Sequence, residues 1–470
     1  MVSPIGYILI PLGLVLFLRG RRMLLWATVA SIPITMVTIV DIGVTSITGF
    51  QFFGSLFIAR CIVDGLWKKN LRFQCSGSKV AGIIFIAVCF FSIAMAAVKS
   101  GSVKVLGEGG KWSDVYANVE TLRLSTRNFT QVIFPFWGFL LYLFLTKEMK
   151  SIADLKVALN ILIWGALIIG LSSVLSGILF NLRQGSLYAE LLNSLKVATP
   201  EIGKPRVGTF GLHFRSFTLA GEPGDSSLYY LVGLGFLVGF ASRDISNTRK
   251  TILSLKSKFL FFLIVVVING STAAYLGVFL LLVWVLPALL LTSGRSSVSI
   301  RTVVMGLAGG MILLYIVGTT IEVGDVSLVE WVQQYHIAKL QGEAGSGSIR
   351  RTVMLHGLNV FLENPILGVG YGSNLSLSFG VFLISNVGLL GTGMFFLFLL
   401  LELRKVIFVA KKSEREIGAI AFSLVLILPP FVGVLLTGIG TFALNLGITW
   451  LLLAMAEATY QVFTSKHIHA

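Results

Sequence analysis

Charge is scarce in this chain. Asp, Glu, Lys and Arg make up 12% of its 470 residues, about half of what a soluble globular domain carries. The sequence therefore cannot clothe itself in a water-facing surface. Acids are scarcer than bases, 21 against 37, and histidine and cysteine number five and three. None of these falls at metal-ligand spacing, so no metal and no cofactor is expected. Cys61, Cys75 and Cys89 sit in or between early apolar runs, which argues against a disulfide framework. A cleavable signal peptide is not expected either: Arg19, Arg21 and Arg22 follow the first apolar run instead of preceding it.

What fills the chain is apolar sequence, 55% hydrophobic with a mean hydropathy of +0.89, in runs of the length a bilayer requires. The expectation is an all-α polytopic membrane protein, one integral membrane domain over residues 1–470 with about thirteen transmembrane helices. The spans lie near 5–18, 23–40, 48–66, 80–98, 131–146, 157–179, 226–242, 259–269, 273–292, 303–319, 380–400, 417–436 and 441–460. A net charge of +16 would suit nucleic acid, but the placement of the bases gives a simpler reason. With the N-terminus outside and the C-terminus inside, roughly two thirds of Lys and Arg fall in cytoplasmic turns, as the positive-inside rule demands. Arg21, Arg22, Lys79, Lys147 and Lys156 are among them. No nucleic acid is expected as a partner; the bilayer is.

Three segments on the outer face are too long for tight turns, 99–130, 180–225 and 320–379, and function is expected there. In the first, Arg123 and Arg127 at i, i+4 ahead of a span read as interfacial anchors. Inside the spans the clearest charged pair is Arg60 and Asp64, one helical turn apart and read as a structural ion pair.

The segment 346–374 carries the densest polar pattern. Adjacent Arg350 and Arg351 open a helix that Asn364-Pro365 should stop. Thr352, His356, Asn359 and Glu363 share one face of it, and Met354, Leu355, Leu358, Phe361 and Leu362 fill the other. Two guanidiniums at a helix start suit phosphate, although a surface-lying helix whose arginines touch lipid headgroups is the competing reading. An amphipathic piece over 326–340 precedes it. The other polar centre is 204–225, with Arg206, His213, Arg215, Glu222 and Asp225. There Asp225 reads as the cap of the next span and Glu222 as a candidate general base.

These residues resemble the O-antigen ligase and polymerase family of bacterial envelope enzymes, the Wzy-type polymerases in particular. The resemblance rests on three features: RTVMLHGLNVFLENPILGVGYG from Arg351, with turn residues Pro365, Gly368, Gly370 and Gly372; NVGLLG from Asn386; and RSFTLAGEPGD from Arg215. Two departures matter. Family ligases carry a histidine between the glycine turn and the next small-residue turn, and Ser373–Ser385 holds none. They also carry an arginine after a serine at the start of a late span, where this chain has Asn269-Gly270-Ser271-Thr272.

The resemblance implies a metal-independent glycosyltransferase with a C-type membrane fold in the bacterial inner membrane, facing the periplasm. Its donor and acceptor would be undecaprenyl-pyrophosphate-linked oligosaccharides, and a chain-length regulator a further partner. Arg206, Arg215, Arg350 and Arg351 would hold pyrophosphate, with Glu222 or His356 as base. The departures favour a polymerase over an O-antigen ligase. A lipid-linked oligosaccharide flippase is disfavoured because polar residues in mid-span are sparse.

Overall fold

The computed structural model describes residues 2–35, 37–41, 46–68, 73, 75–107, 119–182, 185–194, 218–221, 223–242, 249–269, 271–292, 322–323, 326–327, 346–413, 416–438 and 443–468. Among them the chain is helical, interrupted by three two-stranded hairpins. The helices are α1 (Gly6–Arg19), α2 (Arg21–Ser31), α3 (Gly49–Trp67), α4 (Gly77–Val98), α5 (Thr126–Glu148), α6 (Ile152–Asn181) and α7 (Gly185–Ser194). They continue as α8 (Pro223–Ser242), α9 (Arg249–Asn269), α10 (Thr272–Thr292), α11 (Ser346–Glu363), α12 (Phe379–Lys412), α13 (Glu416–Gly438) and α14 (Gly447–Ile468). The strands are β1 (Thr38–Asp41), β2 (Ser46–Thr48), β3 (Lys104–Leu106), β4 (Val119–Thr121), β5 (Glu322–Val323) and β6 (Val326–Ser327).

Eight described helices are long and apolar enough to cross a membrane: α3, α4, α5, α6, α8, α10, α12 and α13. The apolar parts of α1 and α9 are shorter, and the expected span 303–319 lies outside the described residues. The expected span 23–40 is corrected. Its helix ends at Ser31, a 3-10 turn over Ile32–Ile34 follows, and Thr38–Asp41 pairs antiparallel with β2. Pro33 removes a helical donor there, and the β-branched run beyond it favours an extended strand. Helix α8 starts at Pro223, so Asp225 lies in its first turn and not at its cap. Pro365 ends α11 as expected, whereas the 326–340 piece opens in a strand and otherwise lies outside the described residues.

Helix α13 is the innermost span, with 78% of its most apolar window buried against α8, α10 and α12. In lipid there is little hydrophobic drive between helices, so close approach at small residues carries the packing. Gly239 of α8 lies against Ser423 of α13, where an added Cβ would stand 2.1 Å from the serine oxygen. Gly138 of α5 receives Trp450 of α14 in the same way.

One end of the bundle is held by charge. Arg21 meets Glu148 at 3.1 Å, Arg22 meets Asp154 at 2.9 Å and Lys156 meets Glu416 at 2.6 Å. Nearby and buried, Lys79 pairs with Glu457 at 3.2 Å and Lys405 reaches both Glu457 and Glu402. Tyr142 donates to Glu402 at 2.6 Å. Arg21, Arg22, Lys79 and Lys156, four of the bases that the sequence assigns to cytoplasmic turns, thus share one end. Arg60 and Asp64 form their pair at 3.2 Å. At the opposite end lie the β3–β4 hairpin, between α4 and α5, and the segment joining α11 to α12.

Candidate active site

The site is built around a break in α12. Gly388 has φ 63 and ψ −165, values open to glycine and costly for other residues. The break frees the N–H groups of Leu389 and Leu390 and the carbonyls of Ser385 and Asn386, which an unbroken helix would pair. The glycine turn after α11 takes all four. Leu389 N donates to Pro365 O (2.8 Å) and Leu390 N to Ile366 O (3.2 Å). In return Val369 N donates to Ser385 O and Gly370 N to Asn386 O, both at 3.0 Å. Gly368, Gly370 and Gly372 all have positive φ. The contact is so close that a Cβ on Gly368 would fall 2.4 Å from the Asn386 carbonyl carbon.

Three asparagines tie this loop to its surroundings. Asn386 Nδ2 donates to Asn374 O and to Phe382 O, and its Oδ1 accepts from Asn374 N at 2.8 Å. Asn374 Oδ1 accepts from Leu106 N (3.0 Å), and Leu375 N donates to Leu106 O (3.0 Å), so the loop extends from β3. Asn128 of α5 donates to Tyr371 O (2.9 Å) and to Ser373 Oγ (2.8 Å), while Ser92 of α4 accepts from Tyr371 N. Residues 368–376 are all buried. A loop without helix or sheet persists there because its backbone groups find partners.

A cavity of about 230 Å³ borders this loop. Gly372 and Ser373 contribute from the loop, Ser125 and Arg127 from the start of α5, and Glu120, Leu122 and Arg123 from β4 and the residues after it. Val105 of β3, opposite Glu120 in the hairpin, completes it. Asn128 Oδ1 accepts from Ser125 N at 3.0 Å, so one side chain both fixes the start of α5 and grips the loop. Arg127 Nε and Nη2 lie out of reach of solvent, whereas Arg123 and Glu120 are exposed at the mouth. Two permanent cations, a carboxylate and two hydroxyls can together hold a phosphate and exchange a proton with a sugar.

The residues singled out from sequence are placed as follows. Pro365, Gly368, Gly370 and Gly372 form the loop just described. Arg350 donates to Leu377 O at 3.3 Å and Arg351 is exposed. Helix α11 buries Val353, Gly357 and Val360, while Leu355, Leu358 and Leu362 stay exposed; Asn359 and Glu363 are exposed too, so the buried face is neither of the two expected. Half-buried His356 bonds the backbone of Lys104, its Nε2 closed off from solvent, and burial lowers its pKa below the usual imidazole value. Arg206, Arg215 and Glu222 lie outside the described residues. Glu120, Ser125, Asn128 and Ser373 went unseen, although the i, i+4 arginine pair beside them was the available signal.

A search among curated proteins finds no match to the chain. Residues 258–386 match the family model described as O-antigen ligase. That stretch runs from α9 through α11 and the glycine loop, and it ends at Asn386, the residue that ties the loop to the broken helix. Residues 258–386 are thus similar to the O-antigen ligase family, in a chain whose described residues include eight helices apolar enough to cross a membrane.

Proposed function

We propose that this protein is a polymerase that joins lipid-pyrophosphate-linked oligosaccharide repeat units into a surface polysaccharide. The observation that carries the reading is the composition of the loop after the glycine turn. Ser373–Ser385 holds no histidine, and its asparagine is engaged in fixing backbone. The ligase-type base is thus missing from the place where ligases of the family carry it.

Transfer breaks the bond between the anomeric carbon and the donor diphosphate, so the leaving group gains charge that cations stabilise. Arg206, Arg215 and Arg351 are proposed to meet it from the loops, with Arg350 positioned by Leu377. Glu222 and His356 are the proton acceptors suggested by sequence, although His356 would have to leave its bond to Lys104. On this reading the site faces the periplasm, the charged end lies in the cytoplasm and the membrane is the bacterial inner membrane. The donor is an undecaprenyl-pyrophosphate oligosaccharide and a chain-length regulator is a candidate partner.

The description of the matching family model favours a second reading, an O-antigen ligase. Protein in nanodiscs, given a synthetic lipid-linked repeat unit alone, separates the two. A ladder of lengthening sugar chains is the expected outcome; transfer seen only after lipid A-core is added overturns the polymerase.

A further inference from the structure

The reaction proposed above needs a group that accepts the proton of the attacking sugar hydroxyl, and the cavity beside the glycine loop supplies one in place of Glu222 or His356. Its two arginines stay protonated and its serines are poor proton acceptors. Val105, Leu122 and Gly372 offer no titratable group. Glu120 carries the one carboxylate among the lining residues.

Its position is constructed, not incidental. Glu120 sits in register with Val105 on a hairpin that Asn374 and Leu375 bind to the loop through Leu106. The carboxylate lies against the backbone of Gly107, where an added Cβ would stand 2.2 Å from Oε1. Glycine at 107 keeps that space open. The volume, about 230 Å³, falls under the roughly 300–1,000 Å³ of sites for drug-sized ligands. It suits a single sugar ring and not a whole oligosaccharide.

We propose that this cavity takes the terminal sugar of the acceptor, with Glu120 as the general base and Arg123 and Arg127 facing the departing diphosphate. The inference rests on the glycosyl-transfer reading. The acceptor hydroxyl oxygen forms a bond to the anomeric carbon of the donor sugar. The bond from that carbon to the diphosphate oxygen breaks, and its electron pair leaves on the diphosphate beside the guanidiniums. The hydroxyl proton passes to the Glu120 carboxylate and from there, at the open mouth, to solvent. Besides Arg123 and Arg127, the nearby charge on the hairpin is Lys104, paired with Thr121; His356 meets the same strand through the Lys104 backbone.

The test uses full-length protein in nanodiscs with the lipid-linked repeat unit, measuring initial rates across pH. Glu120→Gln is expected to lower kcat by about 10²-fold or more with KM little changed, and to remove the acidic limb of the profile. Glu120→Asp should restore part of the rate. A Glu120→Gln rate within about threefold of wild type, with the limb retained, overturns the role of Glu120. Unchanged thermal unfolding and unchanged inorganic pyrophosphate affinity show that the variant is folded.

Arg123→Gln, at an exposed position, should weaken inorganic pyrophosphate binding about tenfold in a salt-sensitive way; unchanged affinity overturns the diphosphate assignment. If wild type makes no polymer but transfers sugar to lipid A-core, the polymerase reading alone falls and Glu120→Gln is judged on that transfer; if it transfers to neither, the role of Glu120 falls as well. The diphosphate site is then judged by pyrophosphate binding alone.

Discussion

Gly388 shows how much a single residue holds in place. An alanine there would adopt a backbone conformation that is essentially glycine's alone, at a cost of about 1–3 kcal/mol, and would press its Cβ to within 2.3 Å of the Ile366 carbonyl. Gly388→Ala should therefore loosen the glycine loop and, on the polymerase reading, abolish polymer formation while the protein still inserts. Proteolysis at 364–378 and the ladder assay measure the two effects together. This residue scale was partly legible in the sequence, because NVGLLG and the Pro365–Gly372 turn both read as small-residue turns. That they interlock was not, since the pairing is between backbone groups about 20 residues apart and no side-chain pattern records it. Glu120 was hidden for a different reason. Its role depends on Gly107 and Arg127, which only a hairpin brings together, and a short hairpin inside a polar loop leaves almost no periodic signal.

At the scale of elements, α11 is the clearest departure. Its length and its stop at Pro365 followed from the sequence, but its buried face did not. Apolar periodicity marks the face that avoids water, and at a membrane surface that face can stay outside the protein core. What α11 turns inward is Val353, Gly357 and Val360, with half-buried His356 against β3. Burial lowers the His356 pKa from about 6.5, so the folded state resists a proton that the unfolded chain accepts. The unfolded state binds more protons, and stability rises with pH. This contribution is present above the unfolded-state pKa and is lost as pH falls below it. Thermal unfolding followed from pH 7.5 to 5 should therefore show wild type losing stability more steeply than His356→Gln. Parallel curves would remove His356 from that role.

Across the whole molecule, the two ends of the bundle are held by different physics. The hairpin end relies on backbone bonds around a buried loop. The other end relies on Lys79, Lys405, Glu402 and Glu457, two bases and two acids gathered from α4, α12 and α14. Removing one charge from such a set leaves a buried ion uncompensated, at about 3–5 kcal/mol. Glu457→Gln should lower thermal stability by that order. Pairing it with Lys79→Met should recover much of the loss, because Lys405 and Glu402 remain balanced; a double variant no more stable than the single would refute the charge-balance account. The sequence placed these bases at one membrane face through their topology, but Glu402 and Glu457 sit inside apolar helices where nothing flags a partner.

The exchange of four backbone bonds between the glycine turn and α12 leaves its flanking side chains idle. Ile366, Leu389 and Leu390 are 69%, 58% and 44% exposed, turned away from the contact that their own main chains make. Selection can rewrite those three positions with almost any apolar residue while the junction beneath survives, provided Gly368 and Gly388 stay. Chains that share this junction can then drift far apart in letters around an unchanged scaffold, recognisable by where their glycines fall.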